Sequence, residues 1–169
     1  MSTGVLISVE QYLATAYEPD CDFIDGHLEE RNVGEWEHAR LQGKILALLI
    51  SRYEPQGLLS LPELRLQVKP GRFRVPDICV FSEDPHERVP STPPLLCIEI
   101  LSPEDRMSRI EIRINDYLAM GVRTVWVLDP ETRQAFTATA ADGLREAKDG
   151  LLRTEDSRLE LALAQAFGA

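Results

Sequence analysis

Two stretches of the chain place apolar residues at the spacing of an α-helix. The first stretch stops before Pro55-Gln56-Gly57, and the second stops at Gly121. Their apolar residues are Leu41, Ile45, Leu48 and Leu49 in the first, and Ile110, Ile114, Tyr117 and Leu118 in the second. Recurrence at i, i+4, i+7 and i+8 is typical of a helix with one buried face, so the pattern predicts two amphipathic helices.

Shorter apolar runs predict strands and a crossover. Leu95–Leu101 is almost wholly apolar, as in a strand covered on both faces, and Val122–Leu128 is apolar and rich in β-branched residues. With the second helix between them, these two strands are expected to be parallel neighbours joined by a right-handed crossover. Ser8 and Gln11 form a capping pattern that predicts a short helix over residues 8–17.

Turn residues predict three hairpins. Pro70-Gly71 separates residues 59–68 from residues 73–81, which predicts two adjacent strands joined by a tight turn. Asp25-Gly26 predicts an early hairpin, and Asp142-Gly143 a late one. The closing run, residues 159–167, is short enough to be either a strand or a helix.

The composition is that of an ordinary globular protein. A chain of 169 residues, 44% hydrophobic and 27% charged, suits one packed core and excludes the disordered and collagen-like classes. No repeat or linker divides the chain, so we expect residues 1–169 to form a single domain, a mixed α/β sheet flanked by helices. No run approaches the roughly 20 apolar residues that span a bilayer, so we expect no membrane segment.

Charge and cysteine content limit the function classes. With 18 basic and 28 acidic residues the net charge is −10, so the bare surface repels polyanions, and a nucleic-acid function needs local positive charge or a metal. Cys21, Cys79 and Cys97 form no C-x-x-C pair, which argues against a disulfide framework or a cysteine zinc site. We therefore expect a cytoplasmic protein.

Two carboxylates interrupt the apolar faces of predicted strands. Asp77 alternates with Val75, Cys79 and Phe81, and Glu99 alternates with Leu95, Cys97 and Leu101. A buried, unpaired carboxylate costs several kcal/mol, so each acid needs a proton, hydrogen-bond donors, an arginine or a bound cation. If adjacent strands bring the two acids together, one divalent ion compensates both, and oxygen-only ligation suits Mg²⁺ or Mn²⁺.

Pairing within the protein is the competing interpretation. Asp77 can cap the strand opening after Pro76, and Glu99 can pair with Arg106 or Arg113. For either acid alone this is the simpler reading of the pattern, whereas the two acids together favour a metal site.

The basic residues near these acids also have two interpretations. Arg106 and Arg113 are seven residues apart on one predicted helix flank, where their guanidiniums either clamp phosphate or form salt bridges with the acids. His38 lies one turn before Leu41 on the apolar stripe, so its ring is expected to point into the protein. A histidine in that position is either a packed core residue or a ligand.

Several motifs, in order along the chain, carry a family resemblance. They are VPD at 75–77, PPLLCIEILSPEDR at 93–106, YLAMGV at 117–122 and VWVLDP at 125–130, with FIDGHLEER at 23–31 and His38 upstream. Together they resemble the Uma-two family of restriction-endonuclease-like proteins, within the PD-(D/E)XK nuclease superfamily.

The resemblance implies a fold, a reaction and a set of site residues. The fold is a restriction-endonuclease-like mixed β-sheet flanked by helices, with an N-terminal β-hairpin. Asp77, Glu99 and the backbone carbonyl of Ile100 would hold Mg²⁺ or Mn²⁺ for hydrolysis of DNA phosphodiesters, with Asp77, Glu99 and Arg113 as the catalytic residues. From their side-chain chemistry we expect Arg106 and His38 to bind the substrate. A homodimer is the implied assembly, since duplex cutters often use two sites.

This chain departs from the family pattern at the basic position. Leu101 stands where the superfamily has lysine, and Arg113 stands where the family places its lysine in the following helix. Arginine keeps the charge but does not readily release a proton, which excludes a general-base role. Asp22, His27 and Arg109 differ from the usual acids at their positions. The alternative function is therefore a nuclease-fold protein that no longer cleaves and acts as a nucleic-acid- or protein-binding dimer module.

Overall fold

The computed structural model describes residues 4–32 and 34–168. Within them the helices are α1 (Val9–Ala14), α2 (Trp36–Tyr53), α3 (Met107–Met120) and α4 (Leu163–Phe167). The strands are β1 (Asp22–Ile24), β2 (His27–Glu29), β3 (Leu59–Pro62), β4 (Leu66–Lys69), β5 (Arg72–Arg74), β6 (Ile78–Phe81), β7 (Leu96–Ile100), β8 (Thr124–Asp129), β9 (Gln134–Thr139), β10 (Gly143–Glu146), β11 (Leu151–Arg153) and β12 (Glu160–Ala162). None of the helices in these ranges is both long and apolar enough to cross a bilayer.

The strands form a large mixed sheet, a smaller antiparallel sheet and a two-stranded ribbon. The large sheet has the order β10-β9-β8-β7-β6-β3, in which only β7 and β8 are parallel. The smaller sheet has the order β2-β1-β5-β4, and β11 pairs with β12. The mixed α/β sheet and the N-terminal β-hairpin that the sequence predicts are confirmed.

The large sheet is covered on both faces. Even-numbered residues of β6 and β7 share a core with α2 and the C-terminal segment, and odd-numbered residues share a core with α3 and β4. All five residues of β7 are buried, as the apolar run predicts. A side chain on an odd position of β7 therefore points toward α3.

The helices and the crossover match their sequence signals. α2 buries Leu41, Ile45 and Leu49 and continues into a 3₁₀ turn over Glu54–Gln56. The S-x-x-Q cap of α1 is complete, because Ser8 and Gln11 exchange side-chain-to-backbone hydrogen bonds of 2.9 and 3.1 Å. The β7-α3-β8 unit places parallel strands side by side. Asp142-Gly143 joins β9 and β10, and residues 159–167 contain both a strand and a helix.

Two adjacent antiparallel strands, β4 and β5, meet at the predicted Pro70-Gly71 turn, but the prediction that they extend over residues 59–68 and 73–81 is wrong. The segment forms four short strands, of which β3 and β6 join the large sheet while β4 and β5 join the small one. Pro76 has no N–H for a sheet ladder and restricts the residue before it, so the chain leaves one sheet at Val75 and enters the other at Ile78. Asp77 consequently lies in the bend between two sheets rather than inside a strand.

Two glycines lie in different backbone environments in the helices that flank the sheet. Gly121 ends α3 with φ +114°, and an added Cβ would lie 3.2 Å from Pro93 Cγ, whereas Gly43 lies inside α2 with open space around it. We expect Gly121→Ala to lower the free energy of unfolding by more than about 1 kcal/mol and Gly43→Ala to raise it by about 0.5–1 kcal/mol. Urea unfolding of both variants measures this, and equal effects would contradict the α3 terminus described here.

Candidate active site

Asp77 and Glu99 lie together where β6 begins and β7 ends. The two strands are antiparallel, with Ile78 opposite Ile98, so one further residue places Asp77 across from Glu99. Both acids line one cleft and are only 3% and 4% exposed. The two acids therefore lie in the same cleft.

Asp77 is held by donors from three parts of the chain. Its Oδ2 accepts the backbone N–H of Ile100 at 2.7 Å, and its Oδ1 accepts Arg31 Nη2 at 3.0 Å and lies 3.3 Å from His38 Nε2. Burial opposes ionisation, but His38, Arg31 and the Ile100 N–H together hold the pKa of Asp77 below its usual value. Gln42, from the same helix as His38, also bonds the Asp77 carbonyl oxygen at 3.0 Å.

Glu99 points toward α3, as its odd position on β7 requires. Its Oε1 accepts Arg113 Nε at 3.2 Å, Arg113 Nη2 at 2.9 Å and the Tyr117 hydroxyl at 2.5 Å. Burial and the neighbouring Asp77 raise the pKa of Glu99, while Arg113 and Tyr117 act in the opposite direction. Among the described residues no donor reaches Oε2, so this oxygen keeps its lone pairs.

Arg113 joins Glu99 to the N-terminal hairpin. Beside its two bonds to Glu99, it donates to Asp22 Oδ2 at 2.6 Å and to the Val75 carbonyl at 3.0 Å. The side chain is buried, and four hydrogen bonds fix the orientation of the guanidinium plane. Arg113 is therefore a buried bridge between two acids, the salt-bridge alternative of the sequence interpretation.

A second buried arginine, Arg74, adds another connection between the small sheet and α3. Arg74, 1% exposed, donates to Asp22 Oδ2 at 3.0 Å and to Asp116 Oδ2 at 2.7 Å. Asp22 also accepts the Val75 N–H through Oδ1 at 2.9 Å. The small sheet is thereby attached to α3 by ion pairs, and this attachment places Arg113 beside Glu99.

Of the two residues predicted to bind the substrate, His38 lies in the cleft and Arg106 lies outside it. His38 lines the cleft and contacts Asp77, in agreement with its expected inward direction. Arg106 does not face the carboxylates: it is exposed, outside the cleft lining, and has extended backbone at the N-cap of α3. Because α3 begins only at Met107, helical spacing does not carry Arg106 onto the flank of Arg113.

The cleft contains residues to which the sequence interpretation assigned no role in the site. Arg31 contacts Asp77, Arg109 donates to Glu29 Oε1 at 3.2 Å, and Asn32 bonds Asp105 across the cleft rim at 2.8 Å. Arg31 and Asn32 follow β2 in an irregular segment, where no periodicity indicates direction. Only the charge of Arg31, directly after the predicted hairpin, was available as a signal.

The donor set agrees with a hydrated Mg²⁺ or Mn²⁺ rather than with a closed protein cage. No group of three or more His, Cys, Asp and Glu side chains within residues 4–32 and 34–168 is arranged to hold a metal. Mg²⁺ needs only one or two carboxylates, because it keeps several waters. Two carboxylates face one cleft of ≈ 40 Å³ that Ile100 also lines, and Glu99 Oε2 accepts no bond from the described residues. The residues present therefore fit that ion.

Arg113 and Arg109 provide a matched pair for testing the buried bridge. Arg113→Met leaves Asp22 and Glu99 buried with one guanidinium fewer, so we expect the free energy of unfolding to fall by about 3–5 kcal/mol. Arg109→Met removes the same charge from a half-exposed pair with Glu29, and we expect a loss under about 1 kcal/mol. Urea unfolding compares the two, and losses of similar size would show that Arg113 is not a structural bridge.

A search of solved structures finds a protein with a similar fold. The crystal structure of a protein from Anabaena variabilis ATCC 29413, described as a "putative nuclease belonging to DUF820", is similar to this chain, with a TM-score of 0.83 and 24% sequence identity. The alignment covers 95% of this chain and 97% of that one, and it shows that the two share a fold. Among proteins with curated descriptions, none matches the chain.

The sequence itself matches a family profile over almost its whole length. Residues 9–168 match the profile of the Uma2 (Uma-two) family, whose description is "Putative restriction endonuclease". This description supports a nuclease-type function, and the match includes every residue of the cleft. The protein therefore belongs to the Uma2 family.

Proposed function

We propose that the protein is a Mg²⁺- or Mn²⁺-dependent endonuclease that hydrolyses phosphodiester bonds in DNA. The observation that carries the proposal is the convergence of Asp77 and Glu99 in one cleft, with the Oε2 oxygen of Glu99 unbonded among the described residues. A bound divalent ion in such a site activates water and stabilises the charge that develops on the phosphate. The family membership supplies the reaction class.

Each cleft residue has a proposed task. Asp77, Glu99 and the carbonyl of Ile100 hold the ion, and Arg113 positions Glu99 through its two hydrogen bonds. Arg113 cannot accept a proton from water, so it is not the general base. His38, which lines the cleft and contacts Asp77, is proposed to bind the substrate there, and Arg106 is proposed to contact the nucleic-acid backbone outside the cleft.

We further propose that the protein binds DNA as a homodimer in the cytoplasm. A net charge of −10 makes binding to DNA dependent on the local cations Arg31, Arg109 and Arg106 and on the ion. A homodimer would present two clefts to the two strands of a duplex. The scattered cysteines favour the cytoplasm as the compartment.

Metal binding by the two carboxylates is the direct test. We expect Mn²⁺ to bind the wild-type protein and binding to weaken by at least roughly tenfold in Asp77→Asn and in Glu99→Gln, because each substitution removes a charged ligand. Isothermal titration calorimetry gives the affinities. Glu104→Gln, which removes the same charge from the exposed β7-α3 connection, is the control and should bind as the wild type does. Undiminished affinity in both cleft variants would overturn the metal assignment.

Restoring the family's lysine tests the catalytic part. Arg113→Lys keeps a cation that can bond Asp22 and Glu99, and it adds a group that can exchange a proton. We expect nicking of supercoiled plasmid in Mn²⁺ to increase by roughly tenfold or more, within the range that a positioned acid–base group contributes. The double variant Arg113→Lys with Glu99→Gln should lose the gain. An unchanged rate in the single variant would contradict a hydrolytic cleft that lacks only its lysine.

One observation favours a second function, that of a binding module without cleavage. Both carboxylates already have guanidinium partners within the protein, Arg31 for Asp77 and Arg113 for Glu99, so their charges are balanced without a metal. If this second function is correct, the protein would not bind Mn²⁺, and the Arg113→Lys variant would not nick plasmid DNA. The fold would then serve a nucleic-acid- or protein-binding dimer.

A further inference from the structure

Two arginines neutralise the cleft carboxylates, and they are held very differently. Arg113 extends from helix α3 and makes four hydrogen bonds, to Asp22, Glu99 and the Val75 carbonyl. Arg31 extends from the irregular segment after β2 and makes one close contact, to Asp77 at 3.0 Å. Its other contact, to Glu63, is 3.4 Å long and joins a carboxylate that is 53% exposed. Arg31 is therefore the more weakly fixed of the two.

The space around Arg31 also differs from the space inside the cleft. The cleft between Asp77 and Glu99 has a volume of only ≈ 40 Å³. Arg31 borders two further cavities, of ≈ 380 Å³ and ≈ 370 Å³, one beside Pro19 and Cys21 and the other beside Glu35 and Glu104. The Arg31 side chain is only 10% exposed, but open space therefore lies on two sides of it, which the cleft itself does not offer.

The positive charge around Asp77 gives a reason for such a movement. Arg31 and His38 both contact the same oxygen, Oδ1. A divalent cation at this carboxylate would lie within a few ångströms of the Arg31 guanidinium, and like charges at that range in a buried site repel strongly. Arg31 and a divalent cation would therefore compete for Asp77.

We propose that Arg31 is an exchangeable counter-ion: it occupies Asp77 in the metal-free protein, leaves when the site is loaded, and then binds a phosphate of the substrate. This inference rests on the proposed function and adds to it the residue that recognises the phosphate. A guanidinium presents a planar fork that matches two phosphate oxygens. Released at the cleft rim beside Asn32, it lies next to the position where the scissile phosphate would be held. Arg113, fixed by Asp22 and Glu99, cannot take this role.

The experiment measures Mn²⁺ affinity and DNA affinity in the same variants. For Mn²⁺ alone, monitored by the electron paramagnetic resonance signal of the free ion, Arg31→Gln should bind roughly tenfold or more tightly than wild type, because the competing charge-assisted contact is absent. Arg31→Lys keeps a competing cation and should stay near wild type. Arg109→Gln, which removes the same charge from the same cleft but bonds Glu29 rather than Asp77, should change Mn²⁺ affinity by less than about twofold.

The DNA measurement is expected to change in the opposite direction. With Ca²⁺ as the divalent ion, Arg31→Gln should bind a fluorescein-labelled duplex roughly tenfold more weakly than wild type, by fluorescence anisotropy. Without a divalent ion the difference between the two proteins should be smaller than in Ca²⁺, because Arg31 of the wild type is then engaged with Asp77. Thermal unfolding of each variant verifies that the fold is intact.

The outcomes separate this inference from the proposed function. Equal Mn²⁺ affinity in wild type and Arg31→Gln, with binding still lost in Asp77→Asn, would overturn the counter-ion and leave the metal site in place. Tighter Mn²⁺ binding with unchanged DNA affinity in Ca²⁺ would overturn the phosphate role. Failure of wild type and of Arg31→Gln to bind Mn²⁺ would overturn both the inference and the proposed function.

Discussion

The buried bridge that Arg113 forms between Asp22 and Glu99 is the interaction on which the rest of the site depends. Asp22 is fully buried and Glu99 nearly so, and burying a carboxylate is costly unless it is paired with a cation and hydrogen-bonded. By bonding both, Arg113 joins the small sheet to the large one and aims Glu99 at α3. Arg74 adds a second connection through Asp22 and Asp116. Removing one partner of such a network leaves an uncompensated buried charge, so the network fixes geometry as well as charge.

The type of cation at position 113 determines whether that residue can do more than balance the buried acids. A lysine at position 113 would be able to neutralise the same acids and also to exchange a proton, whereas arginine does only the first. With arginine at position 113, the site has the ion-pair framework but no group at that position that readily exchanges a proton. Arg31, in contrast, is attached to Asp77 from an irregular segment and is free of a comparable framework.

Sequence reasoning located the elements with strong periodicity and the two acids. The stripe of Leu41 and Ile45 predicted α2, and the apolar run at residues 95–101 predicted β7, because both have regular side-chain spacing and a covered face. It mistook residues 59–81 for two strands, since the pattern of alternation cannot show that Pro76 transfers the chain between sheets. It placed Arg106 beside Arg113 by extending helical spacing one residue beyond the helix. Arg31 has no periodic context, so only its contact with Asp77 in three dimensions reveals it.

In the proposed loaded site, Asp77 and Glu99 share a divalent ion that replaces Arg31 and leaves Arg113 in place. Anomalous diffraction from a crystal soaked in Mn²⁺ shows whether this happens. We expect one strong anomalous peak between the two carboxylates, with the Arg31 guanidinium turned away from Asp77 and Arg113 still bonded to Asp22 and Glu99. A map without a peak at the two acids, with Arg31 still paired to Asp77, would contradict it.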